Sequence, residues 1–328
     1  MTIRIGIMGY GNLGRGVEYA VSTAPDMVLS AVFTRRDPKS VHLCSTQAPV
    51  LSADTLLGWK DHIDVMIICG GSATDLPEMT PNAARLFHVV DSFDTHARIP
   101  EHFHNVNVAA TESRHTALIS AGWDPGMFSM NRLLAESILP EGAGYTFWGK
   151  GVSQGHSDAI RRIPGVLDAR QYTIPVEDSV NRVRNKECPT LSTREKHTRE
   201  CFVACEEGAD QEAIRQAIVT MPNYFDEYDT TVHFVTLDEL RRNHSELPHG
   251  GSVLRTGITG WNKEHRHSIE YRLELDSNPE FTGAILTCCA RAVYQMAQRG
   301  DYGCKTIFDV PPVDFSPLPR DEVIAKML

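Results

Sequence analysis

Ile3-Arg4-Ile5-Gly6-Ile7-Met8-Gly9-Tyr10-Gly11-Asn12-Leu13-Gly14 is the stretch that decides the fold. Apolar side chains alternate with small or polar ones through Ile7, glycines stand at 9, 11 and 14, and Leu13, Val17, Ala20 and Val21 then recur at helical spacing. The order is strand, glycine turn, helix. A second strand, Met27 to Phe33, follows at the distance a βαβ unit requires, with further strand candidates at Asp64 to Cys69, His88 to Val90 and Thr116 to Ser120. Strands alternating with helices predict α/β architecture: a Rossmann-type, doubly wound parallel sheet.

Beyond Gly122 the pattern changes. A helix is expected at about Met127 to Leu139, then strands around Tyr145 to Trp148, Arg170 to Ile174, Arg199 to Ala204 and Thr231 to Val235, which reads as α+β. The cleanest strand is Ser268 to Leu275, where Ile269, Tyr271, Leu273 and Leu275 alternate with polar residues, so one face is buried and the other wet or interfacial. A broad apolar helix follows Pro279, and the Pro-rich tail from Val310 to Pro319 reads as a wrap-around ending. The expected division is a dinucleotide-binding domain over 1–121, a substrate-binding and dimerisation domain over 122–300, and a segment over 301–328 returning to the first.

Composition narrows the function classes. With 328 residues, 41% hydrophobic and 23% charged, the chain is an ordinary globular one, long enough for two domains. The 32 Lys and Arg against 42 Asp and Glu leave a formal charge of −10 without a basic cluster, which argues against nucleic acid. The longest apolar run, Val65 to Cys69, is far short of the ~20 residues a membrane helix takes. Met1-Thr2 leads straight into the first strand, leaving no room for a signal peptide, so the expected location is the cytoplasm. The eight cysteines show no Cys-x-x-Cys pair and no disulfide-scaffold density. Among the 14 histidines the pairs His102/His104 and His265/His267 lack a third ligand at metal spacing, so no metal is expected.

The glycine turn between strand and helix is a dinucleotide site. Its glycines let the backbone approach a pyrophosphate, whose charge meets the free N–H groups at the helix start near Asn12. NAD-binding versions end the second strand on an acidic residue, whereas here that position reads Phe33-Thr34-Arg35-Arg36. A carboxylate would repel a 2′-phosphate, and Thr34, Arg35 and Arg36 can donate to it, so NADP is the expected cofactor. Cys69-Gly70-Gly71-Ser72-Ala73 closes a strand in small residues, as a backbone passing a dinucleotide would. Cys69 finishes an apolar run with no cation nearby and is expected to be inert, so hydride chemistry should proceed without a thioester.

Several blocks closely resemble the meso-diaminopimelate D-dehydrogenase family: Gly9-Tyr10-Gly11-Asn12-Leu13-Gly14-Arg15, Ser120-Ala121-Gly122-Trp123-Asp124-Pro125-Gly126-Met127-Phe128-Ser129, Phe147-Trp148-Gly149, Ser153-Gln154-Gly155-His156-Ser157-Asp158-Ala159 with Arg161-Arg162-Ile163-Pro164-Gly165-Val166, and Pro248-His249-Gly250-Gly251. The resemblance runs nearly end to end. It implies a homodimeric NADP enzyme that oxidatively deaminates the D-centre of meso-2,6-diaminopimelate, giving L-2-amino-6-oxopimelate, which cyclises to tetrahydrodipicolinate, and ammonia. It also implies roles: Asp94, Asp124 and Trp123 around the reacting centre; Trp148, Gln154 and Gly155 lining the pocket; Arg199, Thr173 and His249 on the distal carboxylate; Asn278 near the distal amine. Ser40 to Leu51, Arg182 to Thr193 and Trp261 to His267 depart from the family pattern.

Each role has a plainer reading. Asp124 before Pro125 and Asn278 before Pro279 could be helix caps, Trp123 and Trp148 core aromatics, Arg199 an exposed strand residue, and His249 a turn histidine. Arg161 and Arg162 have no assigned role and are expected at the surface or a dimer interface. A substrate with two carboxylates and two ammonium groups needs cations for the former and carboxylates for the latter in a water-poor cleft, expected between the domains. The rivals are an NADP reductase of the same plan, such as a homoserine dehydrogenase or a dihydrodipicolinate reductase, and a non-catalytic NADP-responsive binding protein.

Overall fold

The computed structural model describes residues 2–328. The chain begins with β1 (Ile3–Met8), α1 (Asn12–Thr23), β2 (Met27–Thr34), β3 (Val50–Ser52), β4 (Val65–Ile68), α2 (Leu76–Ala84), β5 (His88–Asp91), α3 (Ile99–Ser113), β6 (Thr116–Leu118) and α4 (Met127–Ile138). There follow β7 (Gly142–Trp148), β8 (Gly151–Val152), α5 (Gln154–Arg161), β9 (Val166–Pro175), α6 (Glu177–Arg184), α7 (Thr193–Lys196), β10 (His197–Cys205), α8 (Gln211–Val219) and β11 (Asp229–Phe234). The last elements are α9 (Leu237–Asn243), β12 (His249–Thr259), β13 (His265–Leu275), α10 (Asn278–Gln298), β14 (Gly303–Lys305) and α11 (Arg320–Met327).

Seven parallel strands in the order β14-β6-β5-β4-β1-β2-β3 make one sheet, the doubly wound plan that the first twelve residues predict. Its central strands are buried on both faces, which is why Val65-Met66-Ile67-Ile68 is a continuous apolar run. A four-stranded sheet, β11-β10-β9-β8, and a three-stranded antiparallel sheet, β13-β12-β7, supply the α+β part. Among the described residues no helix is long and apolar enough to cross a membrane.

The chain divides into two compact units, one running up to Met130 and resumed by Pro279–Leu328, the other Asn131–Asn278. This corrects the expected boundaries at both ends: α4 straddles the first, and α10, expected in the second domain, belongs with the parallel sheet. The reason is helix crossing. A Cβ on Gly16 of α1 would meet the Pro279 carbonyl oxygen at 2.5 Å, and one on Gly283 would meet the Gly16 carbonyl carbon at 2.4 Å, so two glycines let the backbones touch. Arg291 of α10 grips Asp26 through two hydrogen bonds of 2.6 and 2.7 Å, holding the Asp26 carboxyl below its usual range. The Pro-rich tail is pinned to the same helix, its Phe315 carbonyl accepting from Arg291 at 2.9 Å.

Other expectations shift more modestly. The strand expected over Thr116 to Ser120 stops at Leu118, because Ser120 takes a left-handed conformation at φ 55°. The best alternating strand, Ser268 to Leu275, is part of β13, an edge strand whose Ile269, Tyr271 and Leu273 are half-buried against exposed polar neighbours. Its partner β12 has no alternation to read: its glycines interrupt the pattern and it is buried through most of its length.

Candidate active site

The order of the parallel sheet reverses at β1, and the loops after β1 and β4 flank that point, where open α/β sheets receive ligands. A cavity of about 220 Å³ lies there. Of the residues expected to hold cofactor, Gly9, Tyr10, Gly11, Thr34, Arg35, Arg36, Cys69, Gly70 and Gly71 line it; Met8, Phe33, Ala53, Asp75 and Met79 join them unanticipated. Gly9 turns at φ 97°, and Gly11 precedes α1 with nothing within 4 Å of where its Cβ would stand, so the open helix N-terminus faces free space. Asn12, Leu13 and Gly14 form the first helical turn behind the lining; a Cβ on Gly14 would strike the Gly9 carbonyl at 2.5 Å.

β2 ends on Thr34, not on a carboxylate. The Thr34 hydroxyl accepts from the Arg36 main-chain N–H at 3.1 Å, the Arg36 guanidinium donates to the Tyr10 carbonyl at 2.5 Å, and Arg35 pairs with Asp75 at 2.8 Å. Two guanidinium groups and a hydroxyl at this strand end fit a nucleotide bearing a 2′-phosphate. The Tyr10 hydroxyl donates to the buried Glu18, which also accepts from the main-chain N–H groups of Cys44, Ser45 and Thr46 at 3.1, 2.7 and 3.1 Å. Burial would raise the Glu18 carboxyl, but these donors outweigh it and hold it low, so the segment after Ser40 is tied to the glycine turn. Burial pushes the Cys69 thiol well up, leaving it a poor nucleophile. Ser72 and Ala73 lie outside the lining; the Ser72 hydroxyl accepts from the Asp94 main-chain N–H at 2.8 Å.

The three residues expected at the reacting centre stand on two loops of the first unit. Asp94 is exposed just after β5, and Trp123 and half-buried Asp124 precede α4. Because α4 starts at Met127, Asp124 stands three residues ahead of the helix, separated from it by Pro125 and Gly126. Trp123 is buried edge-on against Phe128, with ring centroids 5.3 Å apart.

In the second unit Arg199, far from being an exposed strand residue, is only 6% exposed in the central strand β10 and opposite Thr173 of β9. Its guanidinium donates to the Thr173 hydroxyl and lies over the Tyr228 ring at 3.8 Å. Its Nε is buried with no partner, and among the described residues Arg199 makes no ion pair with a carboxylate. A buried cation without a counter-charge is costly, and an anion brought to it would offset that cost. Burial, with this cation nearby, pushes the His156 and His197 imidazoles down to about 4 and about 3. Neutral His197 accepts from the Trp148 main-chain N–H at 2.8 Å, and the two rings stack with centroids 5.3 Å apart. Gly151 of β8 sits between Thr173, its strand partner, and His249, whose ring a Cβ on Gly151 would strike at 2.6 Å.

Thr173, Arg199, His249 and Trp148 are thus gathered around β8 to β10 by pairing and stacking. Gln154 and Gly155 open α5 on its exposed side, and Asn278 opens α10, its N–H donating to the Leu247 carbonyl at 3.0 Å. Arg161 is engaged with Asp168 and the Ala169 carbonyl, while Arg162 is exposed. Sequence reading misses Tyr228, His197 and Asp75. His197 was within reach, because it shares a strand face with Arg199 two residues on; Tyr228 and Asp75 arrive by folding alone.

The family model for the diaminopimelic acid dehydrogenase C-terminal domain matches residues 122–277. The chain is 60% identical over 326 residues to the meso-diaminopimelate D-dehydrogenase of Ureibacillus thermosphaericus, covering 99% of each. The structure of Corynebacterium glutamicum diaminopimelate (DAP) dehydrogenase in complex with DAP matches with a TM-score of 0.93 at 44% identity, covering 100% of both chains. An engineered D-amino acid dehydrogenase bound to NADP+ matches with a TM-score of 0.89 at 42% identity, again over 100% of both.

Proposed function

This chain belongs to the meso-diaminopimelate D-dehydrogenase family, and from that premise we infer how its residues divide the work. The enzyme is an NADP-dependent amino-acid dehydrogenase of lysine biosynthesis acting on meso-2,6-diaminopimelate. When bound along the groove lined by Gly9, Gly11, Thr34, Arg35 and Arg36, NADP would supply the hydride acceptor for oxidation of the D-centre amine, and water would then open the resulting substrate imine to L-2-amino-6-oxopimelate and ammonia.

Gly9, Gly11 and the start of α1 receive the pyrophosphate, and Thr34, Arg35 and Arg36 the 2′-phosphate. Asp94 and Asp124 attract the reacting ammonium, and one of the two takes its proton, directly or through water, since hydride leaves most readily when the nitrogen lone pair is free. Trp123 walls this end. Arg199, steadied by Thr173 and the Tyr228 face, grips the distal carboxylate, with His249 beside it, Trp148, Gln154 and Gly155 along the pocket and Asn278 toward the distal amine. The observation that carries this reading is the buried Arg199 guanidinium with an unpartnered Nε. A homodimer is supported by α4, which leaves Leu133, Leu134 and Ile138 at 49, 53 and 65% exposure.

The test is NADP reduction with a panel of D-, L- and meso-diamino dicarboxylates, with ammonia release measured in parallel. The meso compound should be oxidised with one ammonia per NADPH. Reduction of an aldehyde or ring without ammonia would favour a reductase of the same plan, and tight NADPH binding without oxidation of any diamino acid a binding protein.

A further inference from the structure

A fully buried carboxylate, Asp91, ends β5 outside the residues assigned above. Its Oδ1 accepts from the main-chain N–H groups of Phe93 at 3.0 Å and Ser120 at 2.9 Å. Its Oδ2 accepts from the Thr80 hydroxyl at 2.7 Å and lies 2.7 Å from His102 Nε2. Its main-chain oxygen accepts from the Ala121 N–H at 2.9 Å. His102, 3% exposed, stacks on the Phe93 ring with centroids 4.1 Å apart, and its Nδ1 is buried without a partner. With Asp91 as its one hydrogen-bond partner among the described residues, His102 carries a proton on Nε2.

The placement of these bonds matters more than their number. Phe93 directly precedes Asp94; Ser120 and Ala121 lead into Gly122-Trp123-Asp124. Neither segment is held by regular sheet pairing, and Ser120 is in the left-handed region at φ 55°, where a non-glycine residue persists only if its surroundings over-determine it. One side chain therefore spans both loops that carry Asp94 and Asp124, and helices α2 and α3 fix that side chain through Thr80 and His102. A buried carboxylate is a poor choice if stability alone is at stake, because well-packed apolar groups do that better.

We propose that Asp91 is a positioning residue for the reacting end: its carboxylate sets the Asp94 loop against the Trp123-Asp124 loop, and His102 with Thr80 locks its rotamer. The proposal rests on Asp94 and Asp124 acting at the reacting amine. Alignment of reacting groups is steep in distance, a 1 Å displacement costing about 100-fold, so the loops need a shared anchor rather than separate ones.

Three variants test it, each read by melting temperature, NADPH dissociation constant, KM, kcat and the isotope effect on kcat with substrate deuterated at the reacting Cα. In Asp91→Asn an amide oxygen can still accept from both loops while its NH2 faces Thr80 and the other His102 tautomer, so kcat should stay within about fivefold. Asp91→Leu offers the loops no acceptor. Its kcat should fall about 50-fold or more, with NADPH affinity within about threefold and the isotope effect enlarged, because misalignment slows hydride transfer itself. His102→Phe keeps the stack on Phe93 and loses the lock, giving an intermediate loss of about fivefold to tenfold in kcat.

A folded Asp91→Leu enzyme with unchanged kcat overturns the proposal, as does a kcat loss matched by an equal loss of NADPH affinity. If Asp91→Leu does not fold, His102→Phe decides: an unchanged kcat and isotope effect refute positioning. Asp94→Asn and Asp124→Asn separate the two levels. If both keep full turnover, the reading of the reacting end fails; if either is inactive while the Asp91 and His102 variants are fully active, only the positioning role fails.

Discussion

On the proposed reading, the glycine-rich groove and the surroundings of Arg199 hold an anion in opposite ways. The groove is made largely of main chain: glycine turns after β1 and β4 and the free N–H groups of α1, with the arginines following β2 at its rim. The second unit uses one buried guanidinium, shaped by Thr173, Tyr228 and a neutral His197–Trp148 stack that come from four separate segments. A backbone site spreads its binding over many small dipoles, so no single side chain dominates. A desolvated side-chain site concentrates it, and its loss leaves a buried partner with nothing to pair with.

The largest effect that can break this contrast is expected at Arg199. Arg199→Met should lower kcat/KM for diaminopimelate by at least ~100-fold, matching the ~2 to 5 kcal/mol for truncating one side of a buried charged pair, while NADPH titrations barely change. Simple D-amino acids should be poor substrates before and after. Equal losses for diaminopimelate and a monocarboxylate analogue would place Arg199 in the fold rather than on the substrate.

Acid should weaken the second unit through the histidines beside that cation. His197 and His156 titrate at about 3 and about 4 in the folded protein against 6.5 when exposed, so the unfolded chain binds more protons in between. Stability is therefore complete above about pH 6.5 and is lost as pH falls through this window. At pH 4.5 His197 alone should cost about 2 to 3 kcal/mol. Thermal melts from pH 7 to 4 check this, and His197→Gln, which keeps an acceptor for the Trp148 N–H, should flatten the slope; an unaltered slope would contradict the assignment.

In the groove the effects should be smaller and selective. Arg36→Ala removes one charge-assisted bond of ~1.5 to 3 kcal/mol, so NADP should bind about 10- to 100-fold more weakly while NAD is nearly indifferent. If both cofactors weaken alike, Arg36 acts only through its bond to the Tyr10 carbonyl. The smallest effect concerns Asp75, which holds Arg35 across the groove in a partly exposed pair. Asp75→Asn keeps an acceptor for the Gly71 N–H and frees Arg35, so NADP should bind about twofold to fivefold more tightly, the gain fading at high salt. Weaker binding would mean that Asp75 aims Arg35 at the phosphate rather than competing with it.

Legibility follows the same divide. The groove was readable because strand, glycine turn, helix and the Thr34-Arg35-Arg36 strand end are neighbours in sequence, and short-range sterics dictate what glycines at 9, 11 and 14 can do. The residues of the clamp were named by family resemblance, not by any local pattern: Arg199 in isolation reads as an ordinary strand arginine. β12 is hard to read from sequence because a strand buried on both faces carries no alternation, and the apolar face of α10 does not say which unit covers it.

The amino-acid sequence by itself determined the parallel sheet, NADP as the cofactor and the glycine turn with its basic strand end, because backbone conformation and charge act over a few residues. Only the tertiary structure decided that Arg199 is buried without a counter-charge, that Asp75 reaches Arg35, and that one Asp91 carboxylate joins two loops. Burial and hydrogen-bond pairing belong to the assembled chain: they depend on which distant segments exclude water from a group, and no residue carries that information alone.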